Sequence, residues 1–295
     1  MAFSIPASGT SRPVPTPRRW LGRRLLRHPG TRVGGTLLAV IVVAAIAAPI
    51  LSASDPIHIA PALRLRGPSV AHPLGTDMYG RDTLARVLYG GRLSLAVGVL
   101  SVGLALTGGG TLGALAGFWG RWPDALMMRT SDVVLAFPAI LLAIALLAFL
   151  GGGFWNVVLA IAIVYSAPMA RVARGAVLMV RHEEYVEAAR AVGAGDALIL
   201  WRHILPNAAA PVIVESTLRL AFAILAEAAL SFLGLGTQPP APSWGQMIAE
   251  GRTVMTFSAW PAIGPGMAIT ATVLGFNLVG DAIRDALDPH QGTAG

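Results

Sequence analysis

Six stretches of this chain run for about 18 residues or more with little charge, and that property limits what it can fold into. They lie at about 33–52, 94–117, 133–150, 154–173, 209–232 and 262–280. At about 1.5 Å per residue each crosses roughly 30 Å of hydrocarbon, the third only just. Each is apolar on all faces, which fits a lipid-embedded helix and not the amphipathic helix of a soluble bundle. Of the 295 residues, 55% are hydrophobic and only 13% charged, about half the charge a soluble domain carries. The fold class expected is all-α: a polytopic membrane protein with six transmembrane helices. Pro49, Gly108, Gly109, Gly110, Pro138 and Pro168 interrupt the apolar runs. They read as kinks and close-packing points, which membrane helices tolerate when neighbours re-satisfy the backbone.

Cysteine is absent, which excludes disulfides, thiolate metal sites and cysteine nucleophiles. All 22 basic residues are arginine, and the net charge is +7. In a soluble chain that balance points to nucleic acid; in a membrane chain it sets topology. With the N-terminus inside, the inner segments are 1–32, 118–132, 174–208 and 281–295. They hold fifteen arginines (Arg171, at a span edge, included), against six in the outer segments and Arg219 within the fifth span. Both termini are therefore expected in the cytoplasm, with the lipid bilayer as the surrounding medium and no nucleic-acid partner. Residues 1–32, rich in Pro, Ser and Arg, read as a disordered tail. The apolar run that follows exceeds a signal-peptide core and reads as an uncleaved first helix. The expected organisation is thus a tail at 1–32, a first span and external loop at 33–90, a core membrane domain at 91–285 and a short tail at 286–295.

The segment 182–206, HEEYVEAARAVGAGDALILWRHILP, lies between two spans yet is patterned for structure. Glu183 to Val192 forms a helix with acids at its start, where the helix dipole favours them. Gly193 permits a turn with positive φ. Gly195 or Asp196 starts a second short helix, which Pro206 is expected to end. Ala188 and Ala189 remove bulk, so another backbone can approach, and Glu187, Arg190 and Arg202 supply charge for a polar interface. From composition alone, an ordinary amphipathic hairpin on the membrane surface explains the segment equally well.

The pattern Glu187-Ala188-Ala189, Gly193, then Ile204-Leu205-Pro206 resembles the loop by which the membrane subunit of ABC-type importers docks on its ATPase. The general spacing puts Ile where this chain has His203. The run Arg202-His203-Ile204-Leu205-Pro206-Asn207 is similar to that of the oligopeptide, dipeptide and nickel class. His72-Pro73-Leu74-Gly75-Thr76-Asp77, Gly91-Arg92-Leu93-Ser94-Leu95, the stretch from Leu230 to Gly236 with Ser243-Trp244-Gly245, and the ending Gly280 to Pro289 resemble that class in the same order. The third of these resembles the C-type partner of the paired permeases. The resemblance implies a permease subunit of an ATP-driven importer in the bacterial plasma membrane, carrying dipeptides, oligopeptides or nickel. It implies three kinds of partner: a homologous second permease, two cytoplasmic ATPases and an extracytoplasmic binding protein. The coupling residues would be Glu187, Ala188, Ala189, Arg190, Gly193, Arg202, His203, Ile204, Leu205 and Pro206.

Within the fifth span, Glu215 and Arg219 are spaced i, i+4 and can neutralise each other. Glu227 has no evident partner nearby in sequence. It is a candidate for the translocation path or for a contact with a neighbouring subunit. The six histidines show no metal-ligand spacing, and without lysine no phosphate-binding loop of the Walker type exists. No catalytic residue and no cofactor are expected here; ATP would be used by partner subunits. The alternatives are an ion-coupled secondary transporter using Glu227, which should show inverted repeats, and an intramembrane enzyme, for which no constellation is present.

Overall fold

The computed structural model describes Leu25, residues 28–52 and residues 54–287. Among these residues every regular element is helical, apart from one bridge pair between Thr76 and Asp82. Helix α1 (Pro29–Ile46) is followed by a short turn, Ala48–Leu51, with Pro49 in its first turn, where a missing N–H costs nothing. Helix α2 (Thr83–Ala105) passes through a π-helical segment, Leu106–Gly110, into α3 (Thr111–Trp119). Then come α4 (Arg121–Leu135), α5 (Ala139–Leu150), α6 (Phe154–Val180) and α7 (Glu184–Ala191). The chain continues with α8 (Leu205–Phe232), α9 (Trp244–Arg252) and α10 (Trp260–Leu287). Five continuous helical stretches are long and apolar enough to cross a bilayer, or six if α4 and α5 form one broken span.

The third span, expected over 133–150 with a kink at Pro138, is instead a broken pair of helices that begins at Arg121. The helix axes of α4 and α5 differ by 92°. Pro138 disfavours helical geometry at Phe137, and α4 carries Arg121, Asp124, Arg129 and Asp132, too many charges for a hydrocarbon segment. The second helix starts at Thr83, well before its apolar window, because the Asp82 carboxylate accepts the Ala85 N–H at 2.7 Å and caps it. Of the tail expected over 1–32, residues 29–32 belong to α1 and the His28 ring accepts the Gly30 N–H. The rest of that tail, apart from Leu25, lies outside the described residues, as do residues 288–295; Ala286 and Leu287 complete α10.

Helix α6 is the central strut. It packs against α2, α3, α4, α5 and α8. Its Val157, Val158, Ile161 and Val164 are buried with Val97 of α2, Leu147 of α5 and Leu230 of α8. Lipid tails are as apolar as these side chains, so the hydrophobic effect does little here and close packing must hold the helices together. The closest approach uses glycine. A Cβ at Gly109 would stand 2.2 Å from the Ser166 carbonyl oxygen, and one at Gly113 would stand 2.1 Å from that of Ala170. The two backbones touch along the turn that joins the π-helical segment to α3, which only residues without a side chain allow.

The two ends of the bundle are built differently. At the end holding α9, a buried ionic cluster joins the segment before α2 to the segment after α8. Arg81 contacts Asp77 and Glu250 at 2.6 Å each, and Arg86 contacts the same Glu250 oxygen at 3.0 Å. His72 Nδ1 lies 2.6 Å from Asp82. At the other end sit α7, the start of α1 and the end of α10, where His28 and Asp285 are 3.4 Å apart.

Gly113→Ala places its new atom against backbone that cannot move aside. We expect it to cost about 1–3 kcal/mol and to lower the thermal midpoint of the detergent-purified protein. Gly108→Ala, whose Cβ would meet nothing within 4 Å, should leave the midpoint unchanged or raise it.

Candidate functional site

Helix α7 is one compact knob. Glu183 is its N-cap residue, Glu184 and Glu187 occupy its first turn and Arg190 its last, so its charges complement the helix dipole. It ends in a turn set by sequence. Gly193 adopts φ +83°, its N–H bonds the Arg190 carbonyl at 2.9 Å, and the Ala194 N–H bonds the Ala189 carbonyl at 3.0 Å. This paired closure needs a left-handed residue at its corner, and glycine takes that conformation without strain.

The second half of the segment departs from the expected short helix ending at Pro206. The turn Asp196–Leu198 starts at Gly195, which provides no side-chain cap. It continues through a π-helical stretch, Ile199–Ile204, directly into α8. Pro206 falls in the first turn of α8, where the change of helical register already disrupts the backbone ladder. The loop is therefore a knob on the root of a continuous helix, and α8 carries any motion of that root into the bundle.

The candidate residues divide by direction. Val186 is 0% exposed and sits among Phe118 of α3, Val177 of α6, and Ile199, Leu200 and Ile204. Ile204 is thus an anchor and not a surface residue. Ala189, Leu205 and His203 are half-buried. Glu187, Ala188, Arg190, Gly193, Arg202 and Pro206 are exposed. They share the outer surface with Val192 and Trp201, which are 85% and 70% exposed. Sequence reading missed the anchor. The signal was available in Val186, the one large aliphatic side chain within an otherwise polar α7, and in Ile199-Leu200. Arg181 adds a strut, donating from Nη1 to the Gly117 carbonyl at 2.7 Å.

In the membrane segment, Arg219 donates to Glu215 at 2.6 Å, as the spacing predicts. Glu227 does have a partner nearby in sequence, contrary to expectation. The Ser231 hydroxyl donates to one carboxylate oxygen at 2.7 Å and the Ser94 hydroxyl to the other at 2.9 Å. Ser94 Oγ in turn accepts the Trp244 N–H at 3.2 Å. At 1% exposure, Glu227 ties α2, α8 and the start of α9 together within this chain. Serine one turn ahead is an ordinary helical neighbour; the sequence reading sought only charges. Two further ion pairs, Arg174–Asp124 and Arg171–Asp132, fasten α4 to α6. No group of His, Asp and Glu among the described residues has the geometry of a metal site.

Val186→Ala removes the anchor of the knob and leaves its outer surface untouched. It should cost about 1–3 kcal/mol locally. The expected result is faster amide exchange across 183–194 with protection unchanged in α6, read by hydrogen-exchange mass spectrometry in detergent.

Comparison with known proteins agrees with this geometry. Residues 109–292 match the family described as binding-protein-dependent transport system inner membrane component. Residues 17–68 match the N-terminal TM domain of oligopeptide transport permease C. The chain is 46% identical over 276 residues to the dipeptide transport system permease protein DppC of Alkalihalophilus pseudofirmus, covering 94% of this chain and 91% of the relative. It is 46% identical over 277 residues to the glutathione transport system permease protein GsiD of Pectobacterium atrosepticum, covering 94% and 92%. The di/tripeptide transport system permease protein DppC of Pseudomonas aeruginosa is 42% identical over 97% of this chain and 96% of its own. Among solved structures, the MetNI methionine ABC transporter in inward-facing conformations shares the fold. The TM-score is 0.55 at 19% identity, over 69% of this chain and 97% of the matched one. The chain belongs to the binding-protein-dependent transport system inner membrane components, as a multi-pass permease subunit of a bacterial ABC transporter.

Proposed function

We propose that this subunit forms half of a peptide translocation path and that α7 is its coupling element to a cytoplasmic ATPase. The observation that carries the reading is the two-sided construction of α7. Its inner face is locked by Val186, Ile199, Leu200 and Ile204, and its outer face presents Glu187, Ala188, Arg190 and Val192 to a partner. A knob so anchored moves with the ends of α3, α6 and α8 as one body. An ATPase that closes on ATP can then rock the bundle between two states, and its binding energy sets which state prevails.

The remaining parts follow from the family and from the charge pattern. A homologous second permease completes the path, two ATPase subunits hydrolyse ATP, and an extracytoplasmic protein delivers cargo. On this reading ATP binding and hydrolysis belong to those partner subunits, and this chain serves as the non-catalytic membrane component. The arginine balance orients α7 and both termini toward the cytoplasm, so the Arg81–Glu250 cluster faces the binding protein. Cargo is assigned to the dipeptide and oligopeptide class, because dipeptide, di/tripeptide and glutathione permeases are among the relatives that match nearly end to end. Ion-coupled transport finds no support in this family membership.

The test is a pull-down of the tagged chain from mild detergent. Wild type should recover an ATPase and a second permease. Glu187→Arg, reversing a charge on the exposed face, should lose the ATPase by about tenfold or more while keeping the second permease. Equal recovery of the ATPase by both proteins would remove α7 from the contact.

A further inference from the structure

We propose that the Glu215–Arg219 pair is a transient subsite for a zwitterionic peptide, with Arg219 receiving the cargo carboxylate and Glu215 its ammonium. This rests on the peptide cargo proposed above. The two residues begin a stripe on α8 that continues through Phe222, Ala226 and Ala229 at spacings of three and four residues. The last three line an apolar cavity of about 380 Å³ between α5, α6 and α8, together with Ile161, Tyr165 and Leu225. Tyr165 joins the two parts, because the Arg219 guanidinium stands 5.3 Å from its ring centre. One helix face thus offers an apolar wall and, next to it, one charge of each sign.

The exposure of the pair argues for water and cargo and against lipid. The side chains of Arg219 and Glu215 retain 26% and 17% of their accessible surface, although they lie fourteen and ten residues into α8. Ionised groups at that depth face a bundle interior or an aqueous path, since contact with acyl chains costs several kcal/mol. Glu227 shows the contrasting design: it is closed off by hydroxyls and has no room for a ligand. The 215–219 pair is satisfied internally while the site is empty of cargo. A peptide that brings both charges can replace each partner with its own, so neither ion is left bare during the exchange. An internal ion pair then gives way to two charge-assisted contacts, which provide orientation with little net affinity, as a path requires.

The test reconstitutes the complete transporter, with ATPases and binding protein, in proteoliposomes and measures dipeptide uptake per ATP hydrolysed. Arg219→Gln and Glu215→Gln should each lower that ratio about tenfold, while binding-protein-stimulated ATP hydrolysis persists. Arg219→Lys, which keeps the charge but loses the planar fork beside Tyr165, should fall between wild type and Arg219→Gln. The exchange Glu215→Arg with Arg219→Glu restores an ion pair with its order reversed, and should remain low. A wild-type ratio in the exchanged protein, or in both Gln variants, would make the pair a purely structural contact and overturn the subsite alone. A wild-type transporter that takes up no dipeptide would overturn the cargo reading and this proposal with it.

Discussion

The contact between α3 and α6, backbone against backbone at Gly109 and Gly113, is the constraint on which the rest of the bundle depends. In lipid the helices gain little from hiding apolar surface, so stability comes from how closely they fit. By coming this close, α3 lets α6 sit at the centre with a neighbour on nearly every side. The π-helical segment just before α3 belongs to the same device. It shifts the helical register over Leu106–Gly110, and Gly109 and Gly113 both meet carbonyls of α6. A helix already strained from regular geometry is tolerated there because the packing around it is fixed.

Polar chemistry is then pushed to three levels. At one end Arg81, Arg86, Asp77 and Glu250 form a cluster in which two arginines share a carboxylate and the charges balance. Such clusters add little net stability, but breaking one side strands the other, so they fix geometry. In the middle Glu227 links three helices through serine hydroxyls. At the other end ion pairs hold α4 across α6, and α7 docks by apolar side chains around Val186.

Much of this was legible in the sequence, and what was not has a common cause. The number of crossings, the α7 helix, the Gly193 turn and the Glu215–Arg219 pair all rest on local spacing, which a sequence displays directly. Pro138 marked a kink in the sequence, but the 92° size of the break and the start of α4 at Arg121 were hidden because the charges of α4 lie mostly outside the apolar window. The length of α2 was hidden because hydropathy reports the bilayer, whereas Asp82 sets where the helix starts. The fusion of the loop into α8 through Pro206 was hidden for another reason: proline reads as a stop only if the register is α-helical, and here the preceding residues are π-helical. The Arg86–Glu250 contact spans 164 residues of sequence, beyond the reach of any local pattern.

These features bear on how a knob at one end can govern access at the other. If α7 is the coupling element proposed above, a force on it reaches the ends of α3, α6 and α8 through Val186 and the side chains packed around it. Helix α8 continues through the membrane to Glu227 and Ser231, where it meets α2 and the start of α9. Each joint is built from a different interaction, aliphatic, backbone and carboxylate–hydroxyl, yet each has little slack. Helix α5 bends away at Pro138 and lines the cavity against α6 and α8. On the coupling role proposed above, a packed helix beside a bent one is the arrangement a gate requires, with its boundary along the face that carries Arg219.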